Sequence, residues 1–113
     1  MAFIQNDYCL QFQPNMIRHS VIFKLNCAKN TAEEKAFLAA AAKLANIPGV
    51  LHFESLRQTS KKNNFDFGLS MEFESQQSYD AYSSHPDHQQ FIQQYWVKYV
   101  QDFLEIDYEP LQQ

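Results

Sequence analysis

The sequence predicts an α+β domain whose elements follow in the order β-α-β-β-α-β. Three observations predict it. Ile17 to Leu25 and Phe65 to Phe73 alternate apolar and polar residues with the two-residue period of a strand. Stretches opening at Thr31 and at Ser75 begin with capping residues and continue with apolar side chains at helical spacing. The chain has 113 residues, a one-domain length, and a chain of that size can hide enough surface to build a core.

Residues 1–15 read as an N-terminal extension or arm, with Tyr8, Leu10 and Phe12 alternating with Cys9 and Gln11 as a weak strand signal. Residues 16–113 read as the domain. In its first strand Ile17, His19, Val21, Phe23 and Leu25 share one face, so a histidine stands in line with four apolar side chains. Thr31-Ala32-Glu33-Glu34 reads as a capping box, with Thr31 as N-cap and Glu34 reaching back. The helix presents Phe37, Ala40, Ala41 and Leu44 on one side, and Asn46-Ile47-Pro48-Gly49 ends it.

The second strand, from about Val50 to Gln58, places Val50, His52 and Leu56 on one face and Leu51 and Phe53 on the other. Apolar residues on both faces imply that both are covered. Lys61 to Asn64 forms a turn into the third strand, giving an antiparallel hairpin. Ser75 caps a second helix containing Tyr79 and Tyr82. Pro86 interrupts that helix and restarts it with Phe91, Ile92, Tyr95, Trp96 and Tyr99. A fourth strand runs from about Asp102 to Tyr108, before Pro110.

This order is the ferredoxin-like split arrangement, in which both helices cover one face of an antiparallel sheet. Ile22, Leu51, Phe53 and Phe103 are then expected on the uncovered face. Burying each is worth about 1.5–3 kcal/mol. A second copy of the sheet packed face to face, in a C₂ homodimer, is the expected cover.

Charge and composition exclude several functions. The net charge of -4 argues against a nucleic-acid binder; Arg57 and Lys61-Lys62 read as a solvated loop. No apolar run reaches the roughly 20 residues of a membrane span, and no signal peptide is recognisable at the N-terminus. Cys9 and Cys27 form neither a disulfide framework nor a metal spacing, so reduced thiols in the cytoplasm are expected. With two glycines in the chain, a Gly-rich phosphate loop is excluded. No Ser or Cys sits in a nucleophile elbow.

The chemistry-bearing stretch is Tyr82 followed by His85-Pro86-Asp87-His88. On an unbroken helix, residues six apart point about 240° from each other. Proline disfavours α conformation at His85 and lets the chain re-aim. Tyr82 and His88 can then face the space between helices and sheet, where His19 looks in from the other side. A neutral imidazole there suits proton removal from carbon beside a carbonyl. A tyrosine hydroxyl can hold the developing enolate oxygen. Each residue also has a structural reading: His85 and Asp87 as caps, His88 as a backbone-bonded histidine, His19 and Tyr82 as core, His52 as a sheet or interface residue. His85 and His88 are three apart, but no carboxylate or cysteine set completes a ligand pattern, and no metal is expected.

Four pieces of the chain, spanning about Met16 to Pro110, resemble the stress-responsive dimeric α/β-barrel (Dabb) family. They are Ile17-Arg18-His19-Ser20-Val21-Ile22-Phe23-Lys24; Ile47-Pro48-Gly49-Val50; Phe65-Asp66-Phe67-Gly68-Leu69 running into Phe73-Glu74-Ser75; and Tyr82 with His85-Pro86-Asp87-His88-Gln89-Gln90-Phe91. The resemblance implies a dimer whose sheets form a barrel. It also implies a pocket like that of the family's plant polyketide cyclases, which work without a cofactor through a histidine at His88, a tyrosine at Tyr82 and a strand-one histidine at His19. Phe37 falls where that pocket is lined by an aromatic; Phe23, Leu69 and Phe91 are the other expected lining residues. Ala40, Ala41, Gln89 and Gln90 depart from those enzymes and imply a different ligand.

The expected function is therefore a homodimer with a pocket for a small hydrophobic or aromatic ligand. The alternatives are a cofactor-free cyclase or lyase, and a small monooxygenase or haem-degrading enzyme on the same general fold, for which the sequence gives no positive signal.

Overall fold

A computed structural model of the chain describes residues 15–111. The expected arm at residues 1–15, with Cys9, lies outside them except for Asn15. Four strands and three helices, the last two split at Pro86, follow in the predicted order. They are β1 (Ile17–Leu25), α1 (Ala32–Ala42), β2 (Leu51–Arg57), β3 (Phe67–Phe73), α2 (Gln76–Ser84), α3 (Pro86–Phe91) and β4 (Val100–Tyr108). The strands form one antiparallel sheet in the order β2-β3-β1-β4. Among the described residues no helix is long and apolar enough to cross a membrane.

Local sequence explains the ends of the helices. Thr31 caps α1 by accepting the Glu34 N–H at 3.3 Å. Glu34 reaches back one residue further than a capping box requires, to the Asn30 N–H. Ser75 accepts the Ser78 N–H at 3.2 Å and caps α2. His85, with φ -63° and ψ 139°, is extended and ends α2, as the residue before a proline should be. Pro86 then opens α3. Beyond Phe91 the helix widens into a π turn, Ile92–Trp96, before a last short turn, Val97–Tyr99. The sequence gives no forewarning of that widening.

The helices cover one face of the sheet, and the core lies between. Phe23, Phe37 and Phe73 are wholly buried, with Leu69, Met71, Ala41 and Tyr82 beside them. Phe23 and Phe37 lie 5.5 Å apart between ring centroids. Trp96 closes over both, 5.2 Å from Phe23 and 6.1 Å from Phe37. Such tilted aromatic contacts fill volume and add to the gain from burial.

The second face differs from the sequence expectation at Phe53, Leu56 and Phe103. Between Leu51 and Glu54 the pairing of β2 with β3 shifts register, and His52 takes a positive φ of 53°. This bulge breaks the alternation. Phe53 therefore joins the helix-side core rather than the open face. Phe103 pairs with Phe23 across β1 and β4, which turns it to the helix side, where its ring meets Trp96. Ile22 and Leu51 remain on the open face. Leu56, Leu104, Ile106 and Tyr108 complete it, because they pair in register with, or next to, the outward residues of β1 and β3.

Candidate functional site

The β1–β4 register decides what surrounds His19. It places Asp107 opposite His19 and Glu105 opposite Val21. Since His19 and Val21 face the helices, Glu105 and Asp107 do too. His19 Nδ1 lies 2.6 Å from Asp107 Oδ1. Tyr79, one turn before Tyr82 on α2, donates its hydroxyl to Asp107 Oδ2 at 2.9 Å, and its oxygen lies 2.9 Å from His19 Nδ1. The set is satisfied when Nδ1–H and the tyrosine hydroxyl both donate to the carboxylate, which leaves the lone pair of His19 on Nε2. Burial and the Asp107 carboxylate hold Tyr79 well above the usual tyrosine pKa, so it stays a donor.

The proline break sets up His88. In a continuous helix the Ser83 carbonyl would accept the N–H of Asp87. Here the Asp87 N–H bonds the His85 ring at 3.1 Å instead. The Ser83 carbonyl is thereby released, and it accepts from His88 Nδ1 at 3.0 Å and from the Gln89 amide at 3.0 Å. With Nδ1–H committed to a carbonyl, Nε2 holds the lone pair of His88. Burial pushes His88 below the ordinary histidine pKa and the neighbouring His19 adds to this, while the Ser83 bond and the Glu105 charge oppose it.

Tyr82 lies between the two histidines. Its ring centroid is 4.6 Å from that of His88 and 6.4 Å from that of His19. It is buried to 2 % exposure, and its hydroxyl bonds none of the described side chains. Burial first, then the Glu105 charge, raises its pKa beyond the usual tyrosine range, so the group stays protonated.

These residues enclose a cavity of about 140 Å³. Its polar lining is His19, Tyr79, Tyr82, Ser83, His88 and Glu105; its apolar lining includes Val21, Leu69, Met71, Phe91, Ile92 and Trp96. Ile92 and Trp96 are the two ends of the π turn, a feature that recurs at functional sites. A larger and more open hollow of about 380 Å³ lies between the end of α1 and α3, lined by Lys43, Asp87, Gln90 and Gln94 among others. It shares Leu44 and Phe91 with the cavity but holds none of the three residues singled out for chemistry.

Of the sequence-predicted site residues, His88, Tyr82, His19, Leu69 and Phe91 come together at this cavity. Phe23 and Phe37 do not line it; both are 0 % exposed and packed into the core beneath Trp96. His85 serves as the cap between α2 and α3. Tyr79, Glu105 and Asp107 escape sequence reasoning. The only available signal is the alternation Phe103, Glu105, Asp107 in β4, which puts two carboxylates on one face but does not say which neighbour they meet. Ligand-capable atoms of His19, Glu105 and Asp107 lie within 4.8 Å of one another. Among the described residues these three, rather than His85 and His88, are the set that could share a cation.

Comparison with known proteins places this architecture. The family described as Stress responsive A/B Barrel Domain matches over residues 17–110. A Dabb-family protein of ferredoxin-like fold from Mesorhizobium loti is 53 % identical, with a TM-score of 0.84 over 86 % of this chain and 98 % of its own. A dimeric ferredoxin-like protein from Thermobifida fusca is 23 % identical, with a TM-score of 0.71 over 88 % of this chain and 94 % of its own. The hydroxynitrile lyase of Passiflora edulis is similar in fold at 14 % identity, with a TM-score of 0.77 over 89 % of this chain and 98 % of its own. A search of the curated proteins finds no match. Matched along nearly all of its described length, the chain belongs to the stress-responsive A/B barrel (Dabb) family.

Proposed function

We propose that this chain is a homodimeric, cytoplasmic protein that binds a small apolar or aromatic molecule beside His88. On such a ligand it acts as a cofactor-independent lyase or cyclase. His88 is the general base, Tyr82 the hydrogen-bond donor, and His19 orients the ligand. The observation that carries this reading is the bond from His88 Nδ1 to the Ser83 carbonyl. It fixes the tautomer in which Nε2 is the base, on a ring that lines the cavity beside Tyr82.

The chemistry follows from those groups. Nε2 removes a proton from carbon next to a carbonyl, and the electron pair moves onto the carbonyl oxygen. The Tyr82 hydroxyl donates to that oxygen as charge develops. The resulting enolate attacks a second carbonyl and closes a ring, or the reverse sequence breaks a carbon–carbon bond. The cleavage of a hydroxynitrile needs the same equipment: a base takes the hydroxyl proton, cyanide leaves and a carbonyl forms. The lyase of similar fold is a precedent for that class. A cavity of about 140 Å³ suits a one-ring compound, since an apolar cavity of roughly 150 Å³ holds benzene.

The dimer is supported by the open apolar face of the sheet and by dimeric relatives of the same fold. The half-buried free thiol of Cys27 is compatible with a reducing compartment. The test of the chemistry is to offer aromatic hydroxynitriles and short aryl β-diketones to the native protein, to His88→Ala and to Tyr82→Phe. Turnover by the native protein that falls about 10²–10⁴-fold in His88→Ala is expected of a general base. Equal turnover by all three would remove both residues from the mechanism.

A further inference from the structure

We infer that Glu105 sets the charge class of the ligand: the cavity admits neutral or cationic small molecules and turns away carboxylates and phosphates. The inference rests on the cavity being a ligand site, as proposed above, and adds which ligands it selects.

Glu105 projects from β4 toward the helices and lines the cavity with His19, Tyr82 and His88. It sits on an edge strand and is itself exposed, so it borders both the cavity and the solvent. A second carboxylate, Asp107, is two residues along the same face of the same strand. Asp107 is held by His19 and Tyr79, which fixes its position.

Among the described residues, no fixed positive charge stands in the lining to offset Glu105. The cavity residues include neither lysine nor arginine. Arg18 is on β1 but points to the opposite face of the sheet, where it pairs with Glu72. Lys24 and Lys29 are occupied with Asp66. Of the two histidines at the cavity, His88 is shifted toward its neutral form by burial. A carboxylate placed between Glu105 and Tyr82 would meet a like charge in a partly desolvated space. A hydroxyl or ammonium group there gains an acceptor instead. A base that must stay neutral to work is also better served by a ligand that does not bring an anion to compensate.

The test uses the intrinsic fluorescence of Trp96, the one tryptophan of the chain, which lines the cavity. Benzyl alcohol, benzylamine and benzoate are titrated at pH 7.5 and low salt into the native protein and into Glu105→Gln. Circular dichroism checks that the variant is folded, which is expected because Glu105 is exposed. In the native protein benzoate is expected to bind at least about fivefold more weakly than benzyl alcohol, the scale of one incompletely screened charge pair. That gap should narrow in Glu105→Gln and also in 0.5 M salt. Equal binding of the three compounds, or a gap that Glu105→Gln leaves unchanged, overturns the charge selectivity while leaving the pocket in place. Binding of none of them to the native protein overturns both the pocket and the selectivity.

Discussion

The rings of Tyr82 and His88 lie 4.6 Å apart between centroids, inclined at 56°. Six residues separate them, a spacing that would set them on different sides of a continuous helix. They meet because His85 is extended and Pro86 starts a new helix at a new angle. Pro86→Ala tests this cause. Freed at His85, α2 and α3 can run on as one helix and carry His88 away from Tyr82. The expected result is loss of ligand response at Trp96 with a modest stability change, on the order of 1 kcal/mol. Unaltered ligand binding would show that the proline is not what aims His88.

The acidity of His88 gives a second expectation. Burial lowers its pKa in the folded state, and the base form exists above that value. Turnover should therefore persist through neutral pH and fall on an acid limb that lies below about 6.5, the ordinary histidine value. The linkage has a matching sign. The unfolded chain takes up this proton first as pH falls, so His88 subtracts stability across the window between its ordinary and its lowered value and has no effect above it. A pH profile of kcat/KM, paired with NMR titration of the His88 ring, checks both. A limb at or above the ordinary value would contradict the desolvated environment.

Much of this arrangement is legible in the sequence because it depends on local signals. Strand alternation fixes the inward face of β1 and so the aim of His19. Thr31 and Ser75 announce the helix starts through short side-chain bonds to nearby N–H groups. Pro86 announces the break through backbone sterics. What is not legible depends on pairing between distant segments. Asp107 meets His19 only because β4 pairs beside β1 in one particular register, and no pattern in β4 specifies it. The same holds for Phe103. Phe53 changes face because of a single bulged residue, His52, and a histidine at that position does not advertise a positive φ.

Phe37 separates core from pocket. Expected from the sequence to line the ligand site, it is fully buried and meets Phe23, Phe91, Trp96 and Tyr99. Phe37→Ala should cost about 3–5 kcal/mol, much of the total stability of a small domain. Phe37→Leu retains most of the volume, and it should lose far less stability and still bind ligand. Urea unfolding of the two variants gives the comparison. A stable Phe37→Ala with weakened ligand binding would return this residue to the site.

The open face of the sheet predicts assembly. Leu56, Leu104 and Tyr108 are 46 %, 49 % and 51 % exposed and lie with Ile22 and Ile106 on one surface. Leu104→Glu puts a charge at its centre, opposite Ile22 in register. It should convert a dimer at micromolar concentration into a monomer while leaving the helix-side core untouched. Light scattering after size exclusion measures this. A native chain that is already monomeric would refute the proposed cover for this face.

Glu72 is the buried charge on that same face, 7 % exposed. It accepts from Arg18 Nη2 at 2.7 Å and from Arg18 Nε at 3.1 Å through one oxygen, and pairs with His52 Nδ1 at 2.5 Å through the other. One carboxylate thus ties β1 and the β2 bulge to β3, with the bulge held in its positive-φ conformation partly by the His52 contact. Glu72→Gln keeps the size but removes the charge: its amide oxygen can still accept from Arg18, without the ionic strength of the bond, and its amide N–H reaches His52 only if the imidazole takes the tautomer whose Nδ1 accepts. Loss of a hydrogen bond to a charged group in this setting should cost about 1–3 kcal/mol, read from the urea midpoint at unchanged slope. His52→Ala removes the more exposed of the two contacts and should cost less than Glu72→Gln. The reverse order would mean that the bulge is held chiefly by His52, and that Arg18 adds little to the register of the sheet.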